Sequence, residues 1–295
     1  MKKEENIKNP LAEIFGFSIN NNSKKAQRYR KQKLCPYNNK VPNCTKDKAN
    51  NPLGVCSIYH SDSPVITCPV RFREEWIIIE NAAKFAFGAK AKWTSLSEIK
   101  LVDKNNQSAG NIDFVIVKYD DNGDLVDFIS LEVQGVYISG NLRKPFETYI
   151  AKPDKNFDWP VNFNNPKPDY LSSSRKRLIP QMLYKGGIFR YWNKKQTVAI
   201  QKSFFDTLPE LQRTTKTKAD IAWFIYDLAY NNNTKNYDLV LADTVYTDFD
   251  TAISRVINPE PGDVDDFINI LQDKLDKHLD QNPPDAPSFN EIVSK

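Results

Sequence analysis

Histidine is nearly absent: the 295 residues contain only His60 and His278. Chemistry that relies on imidazole as base or nucleophile therefore has little to draw on. No Walker A loop occurs, which argues against ATP-driven chemistry. No apolar run approaches the roughly 18 residues of a membrane span. The charged opening, Met1–Lys8, has no apolar signal segment behind it, so a cytoplasmic location is the expectation. Internal repeats are missing, and so are the paired C-x-x-C knuckles of zinc fingers and ribbons. What is present is 40% hydrophobic and 12% aromatic residues, enough for one large domain or two small ones.

All four cysteines fall within 34 residues, Cys35, Cys44, Cys56 and Cys68, spaced C-x8-C-x11-C-x11-C. Thiolates are soft ligands, and four of them can close a tetrahedral shell around zinc or iron. The surrounding stretch is basic and rich in Asn and Pro, with little apolar surface to bury, so a metal staple would stabilise it strongly. Two other readings stay open: reduced cysteines acting as small core hydrophobes, and a disulfide framework. His60, between Cys56 and Cys68, is either a spare ligand or a loop histidine.

Charge is segregated along the chain. Residues 1–48 carry 12 Lys/Arg against 4 Asp/Glu, and residues 172–220 carry 11 against 3. Residues 221–295 carry 5 against 14. Two basic blocks can converge on one polyanion while an acidic end faces elsewhere.

The residue pattern predicts a loop-rich, cysteine-bearing arm over residues 1–70, with one helix at Ser23–Lys33 capped by Ser23. A helix follows over Arg71–Phe87, stopped by Gly88. Ser95–Val102 reads as a short strand or a helix end. Asn111–Tyr119 and Leu125–Val136 are β runs joined by Asp120-Asp121-Asn122-Gly123, hence an antiparallel hairpin. Asn141–Tyr170 reads as loop. Ser172–Tyr184 reads as a helix that Pro180 kinks or delays. Thr197–Gln201, Ile221–Tyr226 and Tyr237–Ala242 read as strands, and Asp248–Ile257 and Val264–Leu279 as closing helices. The order implies an α/β fold, a mixed sheet flanked by helices.

Within the hairpin, Glu132 and Gln134 lie two apart and so project to one face, where a partner strand can bring Asp113 alongside. Two carboxylates on one sheet face repel unless a cation sits between them, and Mg²⁺ suits such a place. The arrangement resembles the PD-(D/E)xK nuclease core, read as Asp113 and Glu132-Val133-Gln134, with Ile112 in place of Pro and Gln134 in place of Lys.

A narrower resemblance rests on the strings Pro10–Phe17 (PLAEIFGF), Cys35–Cys44 (CPYNNKVPNC), Asn51–Cys56 (NPLGVC), Asn111–Phe114 (NIDF) and Leu131–Gln134 (LEVQ). The chain resembles the NotI-type restriction endonucleases, whose nuclease motif ends in ExQ. The resemblance covers roughly residues 10–140 with these specific motifs, and it is diffuse beyond them. The resemblance implies a homodimer that cuts palindromic double-stranded DNA with Mg²⁺, a cognate DNA methyltransferase as genetic partner, and a structural iron or zinc site. It matches Cys35, Cys44, Cys56 and Cys68 to the metal ligands and Asp113, Glu132 and Gln134 to the active-site strands. Glu98 looks like an additional acidic residue.

On this reading residues 1–70 are the metal-binding arm and residues 71–295 the endonuclease domain. Asp113 and Glu132 bind Mg²⁺, Glu98 reaches it directly or through water, and Gln134 orients the attacking water. Lys100, the lysine nearest Glu98 in sequence, is a candidate for the missing positive charge. Arg28, Arg30, Arg175, Arg177 and Gln181 are candidates for DNA contact. Two competitors remain: a non-catalytic, metal-stapled DNA-binding regulator, and a repair or mobile-element nuclease with the same core.

Overall fold

The structure is a computed structural model that describes residues 9–38, 41–48, 50–153, 166–258 and 261–280. It divides into two units, Met1–Ile257 and Asn258–Lys295. Among the described residues no helix is long and apolar enough to cross a membrane.

The arm contains more regular structure than its composition predicts. Strands β1 (Leu11–Ile14) and β2 (Phe17–Ser18) form a hairpin turning at Phe15 and Gly16, both at positive φ (51° and 80°). Helix α1 (Lys24–Gln32) starts as expected, with the Ser23 hydroxyl accepting from the Ala26 amide. After the short pair β3 (Asp47–Lys48) and β4 (Asn51–Pro52) come β5 (Val55–His60) and β6 (Ser63–Ile66). A four-stranded antiparallel sheet results, ordered β2-β1-β5-β6. It escapes a periodicity reading because β1 is buried along its whole length rather than on alternate residues.

The single helix expected over Arg71–Phe87 is two. A 3₁₀ helix (Pro69–Trp76) breaks at Glu75 and Trp76, both at positive φ, before α2 (Ile77–Phe87), which ends at Gly88. Strands β7 (Trp93–Val102), β8 (Ser108–Tyr119) and β9 (Leu125–Gln134) then run antiparallel. The Asp120 carboxylate holds the β8–β9 turn by accepting from the Asn122 and Asp124 amides. The segment expected as loop over 141–170 contributes α3 (Arg143–Ala151) and β11 (Lys167–Asp169), which pairs with β10 (Tyr137–Ser139). Its stretch 154–165 lies outside the described residues.

Helix α4 runs from Tyr170 to Tyr191 through two π segments, Ser174–Leu178 and Met182–Gly186. Pro180 lacks an amide hydrogen and crowds the preceding turn, so the helix widens around it instead of stopping. Strand β12 (Gln196–Gln201), helix α5 (Lys202–Phe205), strands β13 (Ile221–Asn231) and β14 (Asn236–Thr247), and α6 (Phe249–Ile257) complete the first unit. In the second unit α7 (Val264–Asp280) leaves Val264, Phe267, Leu271, Leu275 and Leu279 exposed.

The central sheet has six strands ordered β14-β13-β12-β9-β8-β7, with β12 parallel to both its neighbours and the other pairs antiparallel. Side-chain alternation sorts it into two faces. One face (Phe114, Ile116, Ile129, Leu131, Ala199, Phe224) packs with Ile78, Ile79 and Ala82 of α2. The other presents Val198, Ile200, Trp223 and Ile225 to Leu178 and Met182 of α4 and to Phe249 and Ile253 of α6. Val115 and Val117 continue this second face toward Phe189 of α4.

Arg71 joins the arm sheet to the central sheet. It is fully buried, 3.0 Å from the equally buried Glu13 of β1 and 3.1 Å from Glu74. It also donates to the Tyr237 carbonyl of β14 (2.8 Å) and lies over the Tyr37 ring. Buried charges persist only with such complete pairing, and removing one partner strands the other. Arg71→Ala is expected to cost about 3–5 kcal/mol of unfolding free energy, read by urea denaturation. A loss below about 1 kcal/mol, the range of exposed pairs, would show that the link contributes little.

Candidate active site

Strand register builds the site. The β8–β9 pairs end at Phe114↔Leu131, so the next residues across are Asp113 and Glu132. The β7–β8 pairs Ser97↔Phe114 and Ile99↔Ile112 flank Glu98 and set it across from Asp113. Glu98, Asp113 and Glu132 thus form one row over three adjacent strands. Glu132 pairs with Val198, whose side chain belongs to the face that α4 covers, and Asp113 alternates with Val115 and Val117 of that face. Glu98 departs from ordinary strand geometry, with φ at 57°, and its own ladder pair is missing. A bulky residue in the left-handed region stores strain, and such strain concentrates at functional positions.

The two central carboxyls hold their protons unusually well. Burial pushes Glu132 up to about 7, with the Asp113 charge the next cause, while Lys185 pulls the other way. Asp113 is also raised, first by burial, against the opposing Val133 amide, which donates to its Oδ2 (2.8 Å). Glu132 Oε2 accepts from Lys185 Nζ at 2.7 Å, whereas Oε1 is buried with no hydrogen-bond partner. A buried carboxylate oxygen without a donor, next to a second carboxylate, fits a hard divalent cation that keeps waters in its remaining positions.

Gln134 faces the same way along β9, but its amide donates to the neighbouring Gly135 carbonyl (2.6 Å). Lys100 does not fill the expected place: it is exposed and pairs in register with Asn111. Lys185, which no sequence motif marks, stands at Glu132 instead. Its one local signal is the glycine pair that follows it, Gly186 and Gly187, inside an otherwise helical run.

The cysteines approach in two pairs. A Leu34↔Asn43 bridge draws Cys35 and Cys44 together, and the Cys56 carbonyl accepts from the Thr67 and Cys68 amides. None of the four is joined in a disulfide, and Cys68 lies within electrostatic reach of the other three. Backbone amides support the sulfurs: Gly16 donates to Cys56 Sγ (3.3 Å), Tyr37 and Asn38 to Cys35, and Lys46 to Cys44. Such donors favour thiolates and fit a metal's ligand set. The predicted tetrahedron itself is not closed. Among the described residues, no group of three or more His, Cys, Asp or Glu, the Glu98–Asp113–Glu132 row included, is gathered tightly enough to hold a metal ion. Burial raises the Cys35 thiol to about 11. His60 sits apart from them as an exposed residue against the Tyr170 ring.

The three sequence strings of the arm meet here. A Cβ on Gly16 would lie 2.1 Å from Pro36, and one on Gly54 would lie 2.4 Å from the Phe15 ring, so glycine alone permits both approaches.

Of the DNA-contact candidates, Arg175 and Arg177 are exposed on α4, Arg177 lying over the Tyr137 ring, and Gln181 is half-buried one turn before Lys185. Arg28 is exposed on α1. Arg30 is not free to reach outward: its guanidinium donates to the Ser18 carbonyl (2.7 Å), holding α1 on the arm sheet.

The family model described as Restriction endonuclease NotI matches residues 15–239, more than half of the chain, including all four cysteines, the carboxylate row and α4. Among curated proteins none matches significantly.

The raised Glu132 carboxyl has a measurable consequence. The folded protein retains that proton to about pH 7, while an unfolded glutamate loses it near the ordinary 4.5. Stability contributed by this group is therefore present at low pH and lost as pH rises through that window. In chelating buffer, the unfolding free energy of wild type relative to Glu132→Gln is expected to fall between pH 4.5 and about 7. A pH-independent difference would mean that Glu132 titrates normally.

Proposed function

The chain belongs to the NotI restriction endonuclease family and is a deoxyribonuclease that cuts DNA; from this premise we propose that it is a type II enzyme making Mg²⁺-dependent double-strand breaks at one palindromic site. The observation that carries the reading is the row Glu98, Asp113 and Glu132 on adjacent strands, with a buried and unpartnered Oε1 on Glu132. The fold around it, a mixed sheet with the row at its β7-β8-β9 side, serves as a PD-(D/E)xK core.

Asp113 and Glu132 would hold the ion through carboxylate oxygens, with Glu98 reaching it directly or through water. The chemistry the bound ion supplies is polarisation of the scissile phosphate, activation of a water and neutralisation of the leaving oxygen. Val133 fixes the Asp113 carboxylate through its amide, which limits reorganisation when substrate arrives. Gln134 carries no charge and cannot act as a base, so its part is to orient the attacking water by hydrogen bonding. Arg175 and Arg177 on the exposed side of α4 and Arg28 on α1 contact phosphates, and Gln181 is the candidate for a base edge.

The palindrome calls for a two-fold homodimer. Cys35, Cys44, Cys56 and Cys68 would hold iron or zinc with a structural role. The arm of residues 1–70 then supports the nuclease body of residues 71–295. The protein acts in the cytoplasm beside a methyltransferase that protects the host's own sites.

Incubation with Mg²⁺ and DNA of mixed sequence should give discrete fragments whose sequenced ends share one palindrome. Tight binding without cutting would favour a regulator, and unspecific degradation a repair nuclease. Asp113→Asn keeps an acceptor for the Val133 amide and should remain folded and bind DNA, yet lose at least about 10²–10³-fold in cleavage. Retained activity would remove Asp113 from the site. Cys44→Ser should lose bound iron or zinc, read by elemental analysis, together with melting temperature. Unchanged values of both would contradict a four-thiolate site.

A further inference from the structure

Strand position 134 holds an uncharged amide where a nuclease core of this kind usually carries lysine, yet the carboxylate row does have a cation beside it. Lys185 enters from α4, with its side chain only 7% exposed, and donates 2.7 Å to Glu132 Oε2 and 2.7 Å to the Asn111 carbonyl. An ammonium has three hydrogens. Two are used in these bonds, and no partner for the third is found among the described residues. Burying an ammonium is costly unless its pairing is good, so its position over the row is held by the fold rather than incidental.

The helix around Lys185 is shaped for that reach. Met182–Gly186 is a π segment, a distortion frequent at functional sites. A Cβ on Gly186 would lie 2.7 Å from both Gln196 Oε1 and the Phe249 ring, and Gln196 donates back to the Gly186 carbonyl (3.0 Å). The turn that carries Lys185 is thereby fixed between β12 and α6, with Nζ directed at β8 and β9.

We propose that Lys185 supplies, from a helix, the positive charge that β9 lacks at position 134. Resting on the nuclease reading above, it keeps Glu132 aligned before DNA binds and offers its third N–H to the scissile phosphate or the attacking water. It is a positioning residue for Glu132 and, through that hydrogen, a cation facing the reacting phosphate.

The test uses the full-length protein and Lys185→Met and Lys185→Arg. Lys185→Met should slow single-turnover cleavage in Mg²⁺ by about 10²–10³-fold, while affinity for cognate DNA, measured in Ca²⁺, changes no more than about threefold. Lys185→Arg should recover about tenfold or more of that rate. A readout independent of activity comes from melts in chelating buffer. Lys185→Met leaves Glu132 buried without its partner and should melt lower, and adding Glu132→Gln should restore part of the loss. Near-wild-type cutting by Lys185→Met overturns the proposal. So does a rate loss that merely tracks lost folding or DNA affinity, or one that Lys185→Arg does not relieve. A wild type that cuts no DNA in Mg²⁺ overturns the nuclease reading itself, and the melts then report on the ion pair alone.

Discussion

Like charges placed across adjacent strands repel, and the site is organised around that repulsion. Asp113 and Glu132 meet because of the β8–β9 register, and burial, nearly complete at Glu132 and partial at Asp113, limits the water that would screen them. The protein offsets the cost in three ways. The Val133 amide takes one oxygen of Asp113, Lys185 takes one oxygen of Glu132, and raised affinity for protons lowers the remaining charge. One oxygen, Glu132 Oε1, stays unsatisfied. On the nuclease reading proposed above, a divalent ion would supply the compensation that these two carboxylates lack, and more of it than a proton can.

Pro180 gives α4 its irregular course. A regular helix through Tyr170–Tyr191 would have to end or kink at Pro180. Widening into π turns keeps it continuous, so that Arg175 and Arg177 stay exposed at its start while Lys185 turns inward further on. One helix thereby combines an outward basic surface with an inward cation. On the proposed reading, phosphate binding and chemistry would share this one helix.

Legibility from sequence follows from how local each cause is. The hairpin was readable because strand alternation and the Asp120–Gly123 turn are both short-range signals, and the pairing of Asp113 with Glu132 followed from it. Glu98 is legible as an acidic neighbour, but its left-handed backbone has no local signal. Lys185 was hidden because its significance depends on a partner 53 positions away. The arm sheet was hidden for a different reason. Its strands are short, β1 is buried on both faces, and Glu13 within it looks like a surface residue until Arg71 is seen to neutralise it. The break before α2 likewise depends on tertiary bonds, since Glu74 is held by both Arg71 and the Leu239 amide.

These long-range ties make the arm and the nuclease sheet one mechanical problem. Gly16 lies in the β1–β2 turn, where its amide reaches Cys56 and its carbonyl accepts from the Tyr37 hydroxyl. One residue from the end of β1, Glu13 fixes Arg71, and Arg71 fixes Glu74 and β14. From β6, the Ile66 carbonyl accepts from Val136, just past the end of β9, and the Ile66 amide donates to Gln201 at the end of β12. Hydrogen bonds thus connect the cysteine-bearing sheet to the end of β9, which carries Glu132, and to the end of β12 beside it. A metal that tightened the thiols would stiffen this path without touching the chemistry, a structural role in the strict sense. It also gives a physical reason for a nuclease to keep a cysteine-rich arm: the register that opposes two carboxylates is costly, and strands held at their ends cannot slip to relieve it.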